Sequence, residues 1–181
     1  MKARTFNAVM SRPHELYCAR VLGMDHNASP GPDLISDTAV VEVKSRLIHP
    51  DHPKKWVVQE HQMLYPKDHK GLSFYWALGF YQLNTPVRKI PHQTRNYTIL
   101  ENLVSEREIY LVPFDWMRKY KSHRCVGQTH KSQWDLSLRY SNFRDLPKII
   151  KSIQGEKGPI HLTEGVFEKH FPKLIKPAIA A

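Results

Sequence analysis

The chain is poor in cysteine and in long apolar runs, and each shortage excludes a class of protein. Cys18 and Cys125 are its only cysteines, which is too few for a disulfide framework or a four-thiolate zinc site. No run approaches the roughly 18 apolar residues that a membrane span requires, so we expect no integral membrane protein. No apolar stretch follows the N-terminal Met1-Lys2-Ala3-Arg4, so we expect no secretory signal and predict an intracellular protein, cytoplasmic or nucleoid-associated.

Acidic residues are also scarce relative to basic ones. The 181 residues hold 27 Lys and Arg against 17 Asp and Glu, and the net charge of +10 favours a polyanionic partner such as DNA. Eight glycines are too few for a flexible linker, and no internal repeat is visible. We therefore expect a compact core over residues 1–115, followed by a more basic part over 116–181 that packs on the same domain.

Hydrophobic spacing and turn residues predict the order of elements in the core. Glu15 shares a helical face with Cys18, Ala19 and Leu22. The first predicted element is a helix that begins at Ser11-Arg12-Pro13 and ends at Gly23. A hairpin of 33–35 and 39–44 follows, and then a short helix within 54–64 and a buried aromatic strand over 72–83. The last two are a helix over 98–104, with Thr98 and Glu101 as a capping box, and a strand over 109–112. The predicted class is α/β (α+β), a mixed central sheet flanked by helices.

Two carboxylates and an ammonium group are brought together by the predicted hairpin. The period of two in a strand puts Glu42 and Lys44 on one face, and Asp33 begins the partner strand, within reach of that face. Hard oxygen ligands suit Mg²⁺, and the backbone carbonyl of Val43 can supply a further oxygen. A lysine beside such an ion can orient water and stabilise charge developing on a phosphate.

These residues resemble the active site of the PD-(D/E)XK nuclease superfamily, which includes restriction endonucleases, junction resolvases and some homing endonucleases. The resemblance covers roughly residues 11–114 and rests on Pro32-Asp33, Glu42-x-Lys44 and the helical Glu15. It implies a restriction-endonuclease-like core of order α-β-β-β-α-β. It also implies that Asp33 and Glu42 bind Mg²⁺, that Lys44 assists the attacking water, and that Glu15 sits at the edge of the metal site.

Other interpretations of the same residues remain open from the sequence. Glu42 and Lys44 can be a solvated ion pair on an edge strand, Pro32-Asp33 can be only a turn, and Glu15 can be an ordinary carboxylate near a helix start. Asp25-His26 weakly resembles the start of an HNH-type nuclease, and the aromatic run 74–81 can be core or a base-stacking surface. A solvated loop is a simpler interpretation than a zinc site for the histidines His49, His52, His61 and His69.

Two departures from family patterns narrow the activity. Neither Gln59 nor Gln62 has the Gln-x-x-x-Tyr spacing to Tyr65 that marks exonuclease branches. The 18 steps from Glu15 to Asp33 are fewer than is typical of junction resolvases, which favours a restriction- or homing-type enzyme.

Cationic and amide side chains indicate where DNA would bind. Between Arg118 and Lys148 there are eight Lys and Arg against two Asp, with aromatic residues interleaved. Lys and Arg contact phosphates, whereas Arg, Asn and Gln also read base edges. A second basic loop spans residues 87–96. The candidate DNA-binding residues are Arg88, Lys89, Arg95, Lys121, Arg124, Gln128, His130, Lys131, Gln133 and Arg139.

The sequence therefore predicts an Mg²⁺-dependent, site-specific endonuclease acting on double-stranded DNA, with Mn²⁺ able to substitute for Mg²⁺. One chain offers one active site, so cutting both strands suggests a homodimer. The alternatives are a structure-specific resolvase or nickase, an RNA-specific nuclease, and a DNA-binding protein without catalytic activity.

Overall fold

The computed structural model of the chain describes residues 3–48, 56–118, 121–126, 132–136 and 149–163. The helices are α1 (Ala3–Leu22), α2 (Tyr65–Asp68), α3 (Tyr97–Asn102) and α4 (Phe114–Arg118), with 3-10 turns at Glu60–Leu64 and Val87–Lys89. The strands are β1 (Asp25–His26), β2 (Leu34–Ile35), β3 (Ala39–Leu47), β4 (Trp56–Gln59), β5 (Ser73–Leu83), β6 (Val104–Pro113), β7 (Lys121–Val126), β8 (Ser132–Leu136), β9 (Ile149–Gly155) and β10 (Gly158–Thr163).

Seven strands form one mixed sheet in the order β1-β2-β3-β5-β6-β10-β9. The β2–β3 hairpin is antiparallel, whereas β3 and β5 run parallel over nine residue pairs from Ala39↔Ser73 to Leu47↔Tyr81. A separate three-stranded sheet has the order β4-β8-β7. The predicted class, a mixed central sheet with helices, is thus confirmed, whereas the restriction-endonuclease-like order of the core stays a prediction.

Both faces of the main sheet are covered, which explains why the aromatic strand β5 is apolar on both sides. Helix α1 packs on one face, where Tyr17, Cys18 and Leu22 meet Val41 and Ala77. On the other face Trp56 and Val58 of β4 pack with Trp76, Leu78 and Phe80. Every residue from Phe74 to Tyr81 is buried, so the core interpretation of the aromatic run is confirmed.

Helix α1 begins eight residues before the predicted start at Ser11, and that part of the prediction is wrong. Ser11 and Pro13 lie inside the helix, where the Ser11 hydroxyl donates to the Ala8 carbonyl at 3.0 Å. An internal proline costs a helix about 3 kcal/mol. Phe6 and Met10 are completely buried against residues of β5 and α3, and burying two such side chains contributes about as much or more, so tertiary packing extends the helix.

The predicted helix within 54–64 is also wrong over its first half, because residues 56–59 form strand β4. Trp56 and Val58 are both buried, a period of two, and β4 pairs with β8 more than 70 residues later.

The predicted cap of α3 is displaced as well. Asn96, rather than Thr98, is the N-cap, and its side chain accepts the Ile99 N–H at 3.1 Å.

Strands from the C-terminal part complete the main sheet. β10 pairs in parallel with β6 through Ile160↔Ile109 and its neighbours, and β9 pairs with β10 at the sheet edge. The sequence prediction contained no strand after residue 112. In the described part of the chain, no helix has the length and apolar character needed to cross a membrane.

Candidate active site

The β2–β3 hairpin is formed as the sequence predicts, and its turn is fixed by Ser36. The Ser36 hydroxyl oxygen accepts the Ala39 N–H at 3.1 Å, and the Ser36 N–H donates to the Ala39 carbonyl at 2.9 Å. Leu34 then pairs with Val41, which sets the register of the two strands. This register brings the start of β2 level with the middle of β3.

Alternation along β3 separates its apolar and charged residues as predicted. Ala39, Val41 and Val43 pack under α1 on one face of the sheet, and Val40 packs on the opposite face, which Glu42 and Lys44 share by period two. Glu42 is 1% exposed, so the interpretation of Glu42 and Lys44 as a solvated ion pair is wrong.

Asp33 is joined to β3 through its side chain. One carboxylate oxygen of Asp33 accepts the backbone N–H of Val43 at 2.7 Å, beyond the last backbone pair between β2 and β3. The N–H and C=O of one residue in a strand point to the same edge. The carbonyl of Val43 therefore points to the edge on which Asp33 lies, as a third oxygen ligand would require.

The two carboxylate oxygens of Glu42 have different surroundings. Oε1 accepts the Lys44 ammonium at 2.5 Å and also the side-chain amide of Gln62. Oε2 is buried and makes no hydrogen bond among the described residues, although the backbone N–H of Asp33 lies near the carboxylate and lowers its pKa. A buried carboxylate oxygen without a partner is unfavourable, and a bound cation would remove that penalty.

Burial raises the proton affinity of both carboxylates. It raises the pKa of Asp33 to about 7, and the nearby charge of Glu42 adds to the effect. Burial also raises the pKa of Glu42, although the Lys44 ammonium opposes that shift. Two acids with raised pKa values beside one lysine are typical of functional sites, where charge is concentrated for a ligand.

Glu15 lies close enough to both acids to affect them. Its negative charge raises the pKa of Asp33 and that of Glu42. Oε2 of Glu15 is 2.9 Å from Nε2 of His26 and 3.9 Å from Nη1 of Arg12. The structure therefore brings together all four residues predicted as catalytic, namely Glu15, Asp33, Glu42 and Lys44.

Two further residues lie beside these acids at positions that the sequence does not predict. Gln62 lies in the 3-10 turn before α2 and donates to Glu42. Tyr65 begins α2, and burial together with the charges of Glu42 and Asp33 raises its pKa to about 12. Neither residue follows a family spacing. Only the packing of this segment over the end of the β2–β3 hairpin reveals their position.

The donor set at this site fits a hard divalent cation. It comprises the carboxylates of Asp33 and Glu42, with the Val43 carbonyl pointing to the same edge, and these are oxygen ligands of the kind that Mg²⁺ takes. The described residues contain no group of three or more His, Cys, Asp or Glu side chains arranged to hold a metal ion. Such an ion would therefore keep several waters and take ligands from a phosphate.

The competing metal-dependent interpretations receive no support from the described residues. Asp25 is exposed on β1, and the imidazole of His26 is held by Glu15 and Arg12. An HNH-type pairing of Asp25 with His26 is therefore not formed. Of the histidines that a zinc site would need, His61 is exposed and its ring lies 5.7 Å from that of Tyr65, whereas His49 and His52 lie outside the described residues.

The candidate DNA-binding residues fall in three groups. Arg88 and Lys89 are exposed in the 3-10 turn after β5, and Arg95 is exposed but donates to the carbonyls of His92 and Thr94. On strands whose side chains are outside the description lie Lys121, Arg124 and Gln133. Gln128, His130, Lys131 and Arg139 lie outside the described residues altogether.

Comparison of the chain with protein-family models, with curated proteins and with solved structures finds no match.

Proposed function

We propose that the chain is an Mg²⁺-dependent endonuclease that hydrolyses phosphodiester bonds in double-stranded DNA at specific sites, as restriction- and homing-type enzymes do. One observation carries the proposal. The hairpin brings Asp33, Glu42 and Lys44 together, and it leaves Glu42 Oε2 buried and without a hydrogen bond among the described residues. A PD-(D/E)XK-like core, with its characteristic strand order, belongs to the same proposal.

The division of roles follows from the chemistry of each group. Asp33, Glu42 and the Val43 carbonyl would hold Mg²⁺, with Mn²⁺ as a substitute. The bound ion supplies neutralisation of the phosphate charge and a lower pKa for water. Lys44 orients the water and stabilises the charge that develops on the phosphate. Glu15 acts through water at the edge of the site.

The bond changes in the proposed reaction balance without a further co-reactant. The oxygen of water attacks phosphorus, and the bond between phosphorus and the 3′ oxygen breaks. One proton of the water is lost from the nucleophile, and the leaving 3′ oxygen gains one. The products are a 5′-phosphate and a 3′-hydroxyl.

Binding of the substrate is assigned to the basic surface. Arg88 and Lys89 are exposed cations, and the net charge of +10 favours a polyanion. Since one chain holds one such site, cleavage of both strands is assigned to a symmetric homodimer on the duplex. Both assignments are part of the proposal and are tested with it.

The test is cleavage of supercoiled plasmid DNA by the full chain with Mg²⁺ and with EDTA. We expect the wild type to cut with Mg²⁺ and not with EDTA, Asp33→Ala not to cut, and Lys44→Ala to cut more slowly by about 100-fold or more. Asp37→Ala is the matched carboxylate control, because Asp37 is exposed in the turn of the same hairpin. If the wild type cuts no DNA with either Mg²⁺ or Mn²⁺, the proposal is wrong.

The substrate class is tested with three further substrates. Discrete fragments from linear duplex DNA would support site-specific cleavage. Preferential cutting of a four-way junction would instead indicate a resolvase, and cutting of RNA but not DNA would indicate a ribonuclease. DNA binding without cleavage of any substrate would indicate a protein that only binds DNA.

A further inference from the structure

Three polar side chains form a cluster behind the acidic site, and we call it the Glu15 cluster. It consists of Arg12 and Glu15 on α1 and His26 on β1. Nε2 of His26 is 2.9 Å from Oε2 of Glu15, and Nη1 of Arg12 lies 2.7 Å from Nδ1 of His26 and also contacts its Nε2. The His26 side chain is 9% exposed and that of Glu15 is 17% exposed, so water screens the contact only partly.

The backbone fixes this cluster relative to Asp33. His26 pairs with Leu34, the residue after Asp33, in the β1–β2 ladder. The next residue, Asn27, donates its N–H to the Asp33 carbonyl at 2.8 Å. The imidazole of His26 and the carboxylate of Asp33 are thus carried by one pair of hydrogen-bonded segments, and α1 presents Glu15 to both.

The Glu15 carboxylate determines the role of the imidazole. Nε2 of His26 lies 2.9 Å from Oε2 of Glu15, and a carboxylate can only accept, so Nε2 donates this hydrogen bond. Nη1 of Arg12 contacts both ring nitrogens and holds the ring in place against Glu15. The bond donated by Nε2 fixes the direction of the Glu15 carboxylate.

We propose that His26, held by Arg12, is a positioning residue that orients the Glu15 carboxylate toward the Asp33–Glu42 pair. This inference rests on the proposed function, because it assigns Glu15 to the edge of the same cation site. Side chains that hold a metal-site carboxylate through a hydrogen bond tune the metal affinity without touching the ion. His26 acts through Glu15 and contacts neither the ion nor the phosphate.

The experiment uses two readouts on the full chain, the affinity for Mn²⁺ measured on metal-free protein and the single-turnover rate of plasmid cleavage. We expect His26→Ala to weaken Mn²⁺ binding and to slow cleavage, each by about tenfold. We expect His26→Gln to recover most of both, since the glutamine amide reaches the position of Nε2. His26→Asn is too short to do so and should stay impaired.

A double-mutant cycle separates positioning through Glu15 from any independent role. If His26 acts through Glu15, then adding His26→Ala to Glu15→Gln causes no further loss in either readout. The matched control is His161→Ala, because His161 also pairs with a glutamate, Glu108, at 3.0 Å. His161 lies on β10, three strands away from β3, and its replacement should leave both readouts unchanged.

Each alternative outcome counts against the inference. It is overturned if His26→Ala matches the wild type in both readouts, or if it is as damaging in the Glu15→Gln background as alone. If His26→Ala does not fold, the comparison is between the other two variants. Mn²⁺ affinity and cleavage rate as high in His26→Asn as in His26→Gln would then overturn the inference. A wild type that binds Mn²⁺ but cuts nothing refutes the nuclease proposal, and the inference is then judged on Mn²⁺ affinities. A wild type that neither binds nor cuts refutes both.

Discussion

The ammonium group of Lys44 donates a hydrogen bond to Oε1 of Glu42 at 2.5 Å, and the two residues lie on the same face of β3, two positions apart. The Glu42 side chain is buried, and its charge is stabilised chiefly by this lysine against the effect of burial on its pKa. Lys44 therefore has two effects that can be separated, because it helps to ionise a cation ligand and it provides a positive charge beside the reacting phosphate.

Replacement of Lys44 by alanine should separate these effects. We expect the rate of cleavage to fall by about 100-fold or more, because a charge aimed at the transition state is lost. Mn²⁺ should still bind at pH 8 and above, because the two carboxylates remain and a repelling cation has gone. The measurement is a single-turnover rate beside a Mn²⁺ titration, with the exposed Lys70→Ala as control. A rate within a few-fold of the wild type would remove Lys44 from the mechanism.

The raised pKa of Asp33 predicts how stability depends on pH. Burial raises this pKa to about 7, above the value of about 3.9 in unfolded chains, so the folded state binds the proton more tightly. Stability should therefore fall as the pH rises from about 4 to about 7 and then level off. Asp33→Asn removes the cost of burying an ionised carboxylate. We therefore expect it to raise the free energy of unfolding of the metal-free protein at pH 8 by on the order of 1 kcal/mol or more.

Chemical denaturation in EDTA at pH 5 and pH 8 measures this difference. The gain from Asp33→Asn should be larger at pH 8 than at pH 5. Added Mn²⁺ should stabilise the wild type at pH 8 and not the variant, because only a cation-binding native state gains from the ion. Equal gains at the two pH values would mean that Asp33 is not a group with a raised pKa.

The backbone at Gly158, the first residue of β10, leaves no room for a side chain. Its φ is +125°, and an added Cβ would lie 1.8 Å from the carbonyl oxygen of Arg107. We expect Gly158→Ala to destabilise the protein by about 3 kcal/mol or more, because backbone atoms must move. Gly71→Ala is the control, since Gly71 also has a positive φ, +88°, but no atom lies within 4 Å of its added Cβ. Equal losses of stability in the two variants would contradict the close contact.

The exposed cations after β5 should contribute to DNA affinity through phosphates. We expect Arg88→Ala and Lys89→Ala each to weaken binding by a similar factor on unrelated duplexes. Each should also reduce the slope of log K against log salt by about 1. Filter binding across a range of salt concentrations measures both effects. Arg20→Ala, which removes an exposed cation from α1, serves as control, and a variant slope equal to that of the wild type would exclude these residues from the interface.

The hairpin and its acids are the part that the sequence predicts well, because their signals are local. The turn at 36–38, the alternation of Val40 to Lys44 and the helical spacing of Glu15 all act over short distances along the chain. These patterns are sufficient to predict that Asp33, Glu42 and Lys44 lie together, as the structure has them. The position of Glu15 beside them is implied only by the resemblance to the PD-(D/E)XK superfamily.

The elements that the sequence does not predict depend on contacts between distant segments, which no local pattern contains. Residues 56–59 form a strand because β8 pairs with them, and α1 passes through Pro13 because Phe6 and Met10 are buried in the core. Gln62 comes to Glu42 across 20 residues of sequence. Its role depends on how the turn before α2 packs, so neither its spacing nor its residue type predicts the contact.

The proposed function depends on a divalent cation bound by Asp33 and Glu42, and calorimetric titration of metal-free protein with Mn²⁺ measures this binding. We expect one saturable site per chain in the wild type, its loss in Asp33→Asn and in Glu42→Gln, and its retention in Asp37→Asn from the same hairpin. Binding of equal affinity in all four proteins, or no binding in the wild type, would mean that these two carboxylates do not form a cation site.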